Sequence, residues 1–397
     1  MLVTEFSGQS KMIEILKEKV EGREGRKTPS KNDLSRSTNQ VTSIGRRETA
    51  YRNARMLIIF LLAAFPVEAL AQPFADLPIR DVFLRGIDLT LKQDYPSAKA
   101  LFQSVIEKYP DNPGGYLYLA GTVQAEFSDY EDGFNRRLFD SLLAKGEALA
   151  DHLIEKKDSA DWGYYYAGTA LSYRAFSESE RGNWPSVILD GLNSAKMFER
   201  CLELNPKFYD AMSGLGTYYY WRSKKTEFLS WLPFVSDRKK EGIALLRNAV
   251  DNGTYDSFEA LNSLILVLTE EERYDEALPL TVRALEKYPD NRSFLWCLVG
   301  IVERVPRKDT MVIKTAVTRL LESVVHAPVR NQYYESACRL KLAEFDMAEG
   351  EYGKVIEECT AILHYKDLEG KTKRDIGKKL RSAKELLRKA KSLTSKN

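Results

Sequence analysis

The residues that could perform chemistry are few and lie far apart in this sequence. Histidine and cysteine are the side chains that most often bind metal ions or act as nucleophiles. The chain has His152, His326, His364, Cys201, Cys297, Cys338 and Cys359. No two cysteines form a C-x-x-C pair, and no histidine lies near another. This spacing argues against a dense disulfide framework and against a metal cluster.

Sequence motifs of known catalytic use are also missing. The chain has no G-x-S-x-G, H-E-x-x-H, P-loop or G-x-G-x-x-G sequence. Gly214-Leu215-Gly216 is similar to the start of a dinucleotide fingerprint, but it lies inside a predicted helix. Carboxylate pairs such as Glu178 and Glu180 are expected in any chain with 57 acidic residues. We therefore predict that the protein is not an enzyme, holds no metal and needs no cofactor.

The composition is that of a folded chain with a distinct N-terminal region. The 397 residues include 59 Lys and Arg against 57 Asp and Glu, and 44% are hydrophobic, which is typical of globular proteins. Residues 1–55 hold twelve basic and seven acidic residues, so we expect a disordered basic leader. A start of translation inside residues 12–55, near Val41 for example, would leave part of this leader untranslated.

Residues 56–71 have the parts of a secretory signal peptide. Four arginines precede an apolar run of twelve residues (56–67), and an A-x-A site stands before Gln72. The run is shorter than the about 20 residues that cross a bilayer. We predict cleavage before Gln72 and an exported protein, periplasmic or secreted. An uncleaved membrane anchor and a buried helix are the alternatives.

Internal repetition dominates the remainder of the chain. Three segments share a pattern of aromatic, small and apolar residues, and a fourth keeps only the second half of this pattern. The three are 94–110, 273–289 and 350–363, and the partial copy is 195–206. Two helices can approach closely only where small side chains face each other, and proline ends a helix. The repetition therefore predicts stacked helix pairs.

This pattern resembles the tetratricopeptide repeat. Ala98 and Ala277 stand at the small-residue position of the second helix, and Gly121, Gly168 and Gly216 stand at that of the first. The resemblance implies an all-α fold, a right-handed superhelical solenoid of antiparallel helix pairs over residues 72–365. About seven hairpins are expected, near 79–112, 113–158, 161–207, 208–255, 258–290, 291–328 and 333–365. A basic capping helix is expected within residues 366–397.

In this family the first helices of the pairs line a concave groove. The matching positions of this chain are mostly aromatic, and aromatic side chains offer a large contact area with a polar tip. They are Tyr118, Trp162, Tyr165, Tyr173, Thr217, Tyr220 and Trp221. The resemblance thus implies an aromatic groove that binds a ligand. The alternative is that these rings pack between the repeats.

An apolar insertion over residues 226–235 predicts either a docked loop or a lip beside this groove. Its large side chains include Phe228, Trp231 and Phe234. We expect a non-enzymatic scaffold or adaptor of the bacterial envelope that binds a protein or peptide in the groove. The alternative is a binder of a small or lipidic ligand under the insertion.

The remaining expectations concern charge and sulfur. We expect no nucleic-acid partner, and contact with a membrane only through the basic C-terminal helix, which otherwise serves as a solvated cap. Cys338 and Cys359 lie at facing positions of the last hairpin. A disulfide between them is therefore left open.

Overall fold

The computed structural model describes residues 77–131, 133–157, 159–227, 236–305, 308–365 and 376–395, which all belong to one compact unit. Across these ranges the structure has fifteen α-helices and no strand. The helices are α1 (Leu77–Leu91), α2 (Tyr95–Lys108), α3 (Pro113–Tyr130), α4 (Arg136–Lys156), α5 (Ala160–Glu180), α6 (Trp184–Leu204), α7 (Tyr209–Lys225), α8 (Lys239–Asn252), α9 (Ser257–Glu270), α10 (Tyr274–Lys287), α11 (Arg292–Val302), α12 (Thr310–Val325), α13 (Gln332–Glu349), α14 (Tyr352–Leu363) and α15 (Gly377–Thr394). The all-α prediction is confirmed.

Consecutive helices pack as seven hairpins, from α1–α2 to α13–α14, and α15 packs on α13 and α14. The first helices of neighbouring hairpins also pack together, as α3 does on α5 and α7 does on α9. A single helix pair leaves one face unburied, and the next pair covers that face. The predicted solenoid is therefore the fold of the described residues.

Local sequence decides where several helices begin and end. The side chains of Asn112, Asn291 and Asn331 accept backbone N–H groups at the start of α3, α11 and α13. An N-cap of this kind stabilises a helix by about 1 kcal/mol. Gly350 ends α13 with a φ of 80°, a left-handed conformation that glycine adopts without strain.

Small residues allow the two helices of a hairpin to approach. Gly86 on α1 lies against the ring of Phe102, and Gly168 on α5 lies against the ring of Phe198. A Cβ atom added at these glycines would lie 2.3 Å and 2.8 Å from the nearest ring carbon. Both phenylalanines are buried, so they fill the space that the missing side chains leave. The glycines that carry the sequence pattern thus lie at helix crossings.

Hairpins far apart in the chain also contact each other. The side-chain amide of Asn291 donates to the backbone carbonyl of Leu91 at 2.8 Å, across 200 residues of sequence. Arg292, which begins α11, donates from Nε to Oδ1 of Asp129 on α3 at 2.6 Å. Both side chains of this ion pair are less than 10% exposed (8% and 7%). The later hairpins therefore cover part of the first ones.

All four cysteines are buried and free. Cys338 packs with side chains of α11 and α12, whereas Cys359 packs with side chains of α15. The disulfide that the sequence left open is therefore not formed. Burial raises the pKa of the Cys297 thiol to about 12 and that of Cys359 to about 11, which keeps these thiols protonated and unreactive at neutral pH.

Candidate functional site

Aromatic side chains of the early hairpins pack against the connection that precedes α9. The ring of Phe208 lies 4.7 Å from that of Trp162 and 5.0 Å from that of Tyr165. Tyr255, in the connection between α8 and α9, places its ring 6.0 Å from Trp162 and 6.1 Å from Tyr118. This interior cluster therefore joins α3 and α5 to a segment much later in the chain.

Two carboxylates lie beside this interior cluster. The Oδ1 atom of Asp210 on α7 accepts the backbone N–H groups of Thr254, Tyr255 and Asp256 at 2.8, 3.0 and 2.9 Å. Tyr165 donates its hydroxyl to Oδ2 of Asp256 at 2.9 Å. Asp210 thus fixes the backbone that leads into α9, and Asp256 ties that backbone to α5.

Burial raises the pKa of both carboxyls. The pKa of Asp210 rises to about 6, although the three backbone N–H groups that it accepts lower it. Burial, together with the neighbouring charge of Asp210, raises the pKa of Asp256. The Oδ2 atom of Asp210 and the hydroxyl of Tyr166 are buried and have no hydrogen-bond partner. Such an interior disfavours charge, so both acids stay protonated to a higher pH than an exposed aspartate does.

We expect this acid pair to stabilise the protein more at pH 5 than at pH 7. A carboxyl whose pKa is raised in the folded state contributes fully below its unfolded pKa, near 4. That contribution is lost as the pH rises through the folded value, about 6 for Asp210. Asp256→Asn keeps an oxygen that accepts from Tyr165. It should raise the free energy of unfolding at pH 7 by on the order of 1–2 kcal/mol and make that free energy less dependent on pH. Urea titrations at both pH values measure this.

Asp251→Asn is the matched control for this prediction, because Asp251 is exposed on α8. It should leave the difference in stability between the two pH values unchanged. If the free energy of unfolding depends on pH equally in Asp256→Asn and in the parent protein, the acid pair does not cause that dependence.

The structure buries several of the aromatic residues that the sequence placed in a groove. Trp162, Tyr165 and Tyr220 are 5%, 1% and 0% exposed. These three rings pack against other hairpins of the same chain, as the alternative interpretation of the sequence expects. Tyr118 and Tyr173 are half-buried. Whether any of the five contacts a partner stays a prediction.

Thr217 and Trp221, on the second half of α7, keep partial exposure. Nε1 of Trp221 has no hydrogen-bond partner, and the ammonium of Lys225 lies 5.8 Å from the centre of the indole ring. These two residues, like Tyr118 and Tyr173, are predicted groove residues that are not fully buried. The predicted lip residues Phe228, Trp231 and Phe234 lie outside the described residues.

A different apolar surface lies on the outer side of α6. Trp184, Ile188, Leu189 and Leu192 are 59%, 70%, 57% and 37% exposed. Their spacing of one, three and four residues places them on one side of the helix. Contiguous exposed apolar side chains of this kind mark interaction sites in soluble proteins.

Sequence reasoning missed this outer face, although its signal is present. Repeat positions explain only the buried side of α6, which carries Val187, Phe198 and Cys201. The other apolar residues of α6 recur with helical spacing on a second side of the same helix. A helix that is apolar on two sides predicts a second contact, because one neighbouring hairpin covers only one of them.

Among the residues that the structure describes, no three His, Cys, Asp or Glu side chains come together as a metal ion would require. None of the helices described above is both long enough and apolar enough to cross a membrane. An open depression of about 510 Å³ beside the start of α9 is lined by Asp251, Phe258, Arg283, Glu286 and Lys287, among others. Its acids and cations balance, so it favours no charged ligand.

One part of the chain matches a known family of helix-pair repeats. Residues 236–292 match the family model of the tetratricopeptide repeat, over a stretch that includes α8, α9 and α10. Residues 236–292 therefore contain tetratricopeptide repeats. No curated protein matches the sequence of the chain.

Two solved structures are similar to this chain. A thermophilic tetratricopeptide repeat protein of Thermus thermophilus is 19% identical, and the alignment covers 56% of this chain and 99% of that one, with a TM-score of 0.36. The human IFIT1 dimer with m7Gppp-AAAA is 12% identical over 82% of this chain and 83% of that one, with a TM-score of 0.38. Neither likeness is close enough to indicate what this chain binds.

Proposed function

We propose that this protein is a non-enzymatic scaffold that is exported to the bacterial envelope and binds a partner protein. The repeat family supports the binding role, because such repeats generally serve protein interaction. The signal-peptide pattern over residues 56–71 supports export. Sequencing the N-terminus of the exported protein tests the second point. Cleavage would leave Gln72 first, and an intact leader would contradict it.

The outer face of α6 is the surface that we propose for the partner, and its exposure is the observation that carries the proposal. Trp184, Ile188 and Leu189 are each more than half exposed. Covering them removes apolar area from water, at about 25 cal/mol for each Å². Tryptophan is also frequent among the residues that dominate binding energy. An amphipathic helix with apolar side chains three and four residues apart has a matching shape.

A photo-crosslinking amino acid at position 188 tests this surface against a matched position. Met311 on α12 is 73% exposed, close to the 70% of Ile188. In living cells we expect a protein adduct from position 188 and none from position 311. Trp184→Ala should lower the adduct yield about thirtyfold, since the loss of a dominant aromatic contact costs about 2 kcal/mol. Equal adducts from both positions, or no effect of Trp184→Ala, would oppose the proposal.

Thr217 and Trp221 remain our proposal for a second contact, on the inner side of α7. Trp221→Phe removes the indole N–H and keeps an aromatic ring. With the crosslinker at position 217, a lower adduct yield in this variant would support the contact. An unchanged yield would leave the outer face of α6 as the proposed surface and remove the inner one.

A further inference from the structure

The C-terminal helix α15 divides its residues between two opposite sides. Ile376, at its N-cap, and Ala383 and Ala390 are buried, and Leu380 and Leu387 pack beside them against the last hairpin. These positions recur every three or four residues, so they form a single packed stripe. The apolar side of α15 is therefore used within the protein and is not free to enter another surface.

The opposite side of α15 carries almost only positive charge. Its exposed basic residues are Lys378, Arg381, Lys384, Arg388, Lys389 and Lys391. Glu385 is the single acidic residue between Gly377 and Thr394. With a rise of about 1.5 Å for each residue, this cationic face extends over roughly 20 Å. We call these six exposed residues the cationic face.

Most of the cationic face has no internal counter-charge. In the described part of the chain, Arg381, Lys384, Arg388, Lys389 and Lys391 form no ion pair with an acidic side chain. Like charges three and four residues apart repel one another on a helix. Solvent ions or an external anionic surface can supply neutralising charge to these five side chains.

Cations of the neighbouring hairpin behave differently. Arg339 on α13 pairs with Glu335 at 2.8 Å and with Glu358 at 2.6 Å. Lys314 on α12 pairs with Asp346 on α13 at 3.0 Å. These two cations are therefore neutralised within the protein, unlike most of the cationic face.

We propose that the cationic face of α15 binds an anionic lipid bilayer and holds the scaffold at a membrane surface. A row of charges along one side of a straight, supported helix matches a plane of headgroups. Because the apolar side is already packed, the contact is electrostatic and the helix does not insert. Binding should therefore require anionic lipid and weaken as salt screens the charges.

Vesicle sedimentation with the full exported chain tests this proposal. Vesicles that contain phosphatidylglycerol should bind the protein at low ionic strength, and vesicles of phosphatidylcholine alone should not. Arg381→Gln, Lys384→Gln and Arg388→Gln together should lower the partition coefficient at least about tenfold, since each cation near an anionic surface contributes appreciably. Circular dichroism of the triple variant checks that α15 still folds.

A second triple variant controls for net charge alone. Lys196→Gln, Lys240→Gln and Arg283→Gln neutralise exposed cations on α6, α8 and α10 and should change vesicle binding less than about twofold. Equal loss in both triple variants, equal binding to neutral vesicles, or no vesicle binding would overturn the proposal. Tighter binding of a DNA duplex than of the anionic vesicles would also overturn it and assign the face to nucleic acid.

Discussion

Gly216→Ala is expected to lower the free energy of unfolding by at least about 3 kcal/mol. A Cβ atom on Gly216 of α7 would lie 2.7 Å from the backbone carbonyl of Gly242 on α8, and one on Gly242 would lie 2.6 Å from the carbonyl of Gly216. Neither carbonyl can rotate away, because each belongs to a helix backbone. The two helices would have to separate, which loosens the packing of the whole hairpin. Urea denaturation followed by circular dichroism measures the change.

Gly191→Ala is the matched control, because Gly191 also lies inside a helix and the substitution is the same. Its nearest neighbour is an atom of Tyr218 at 3.7 Å, an ordinary contact distance. Alanine favours a helix interior over glycine by up to about 1 kcal/mol. We therefore expect Gly191→Ala to stabilise the protein slightly. A similar loss for both variants would show that the contact between α7 and α8 is not what decides the effect.

Glycines at close helix contacts explain why the fold could be predicted from the sequence. Repeat positions mark Gly121, Gly168 and Gly216 as places of close approach, and helix packing depends on such local chemistry. Gly121, for example, has the hydroxyl of Tyr173 2.6 Å from the position that a Cβ would take. Because each hairpin contacts mainly its neighbours, a pattern of some 34 residues specifies most of the architecture.

The state of the inner face could not be predicted in this way. Repeat positions indicate which side of α5 faces inward, but not what lies opposite. Tyr165 is buried, and its hydroxyl is accepted by Asp256, 91 residues later. Tyr255 likewise reaches the ring of Phe83 at 6.3 Å. Contacts of this range depend on how the small rotations between hairpins add up, and no single repeat encodes that sum.

The outer face of α6 could have been predicted from the sequence but was not. The sequence shows that Ile188 and Leu189 are apolar residues on a predicted helix. The repeat pattern, however, specifies only some positions of that helix, and these two are not among them. Helical spacing alone would have placed them away from Val187. Apolar residues that the repeat does not require therefore indicate the proposed partner surface better than the repeat positions do.

Arg292→Ala is expected to lower the free energy of unfolding by about 3 kcal/mol, and to loosen the early hairpins in particular. The Arg292–Asp129 pair is almost fully buried, and Asp129 also accepts the hydroxyl of Tyr95 at 2.9 Å. Removing the guanidinium leaves a carboxylate in the interior with only neutral donors, which is costly. Hydrogen exchange should rise in α1 and α3, because this contact and that of Asn291 with Leu91 hold them against α11.

Arg319→Ala provides the comparison for this prediction. Arg319 pairs with Asp290 at 2.8 Å, but the two side chains are 41% and 78% exposed, so the substitution should cost less than about 1 kcal/mol. Replacing Asp129 as well as Arg292 by alanine removes the buried charge and should recover part of the loss. If exchange in α1 and α3 stays unchanged while stability falls, the pair supports α11 alone. The ring contacts of Tyr255 with Phe83, Tyr118 and Trp162 would then be what covers α1, α3 and α5.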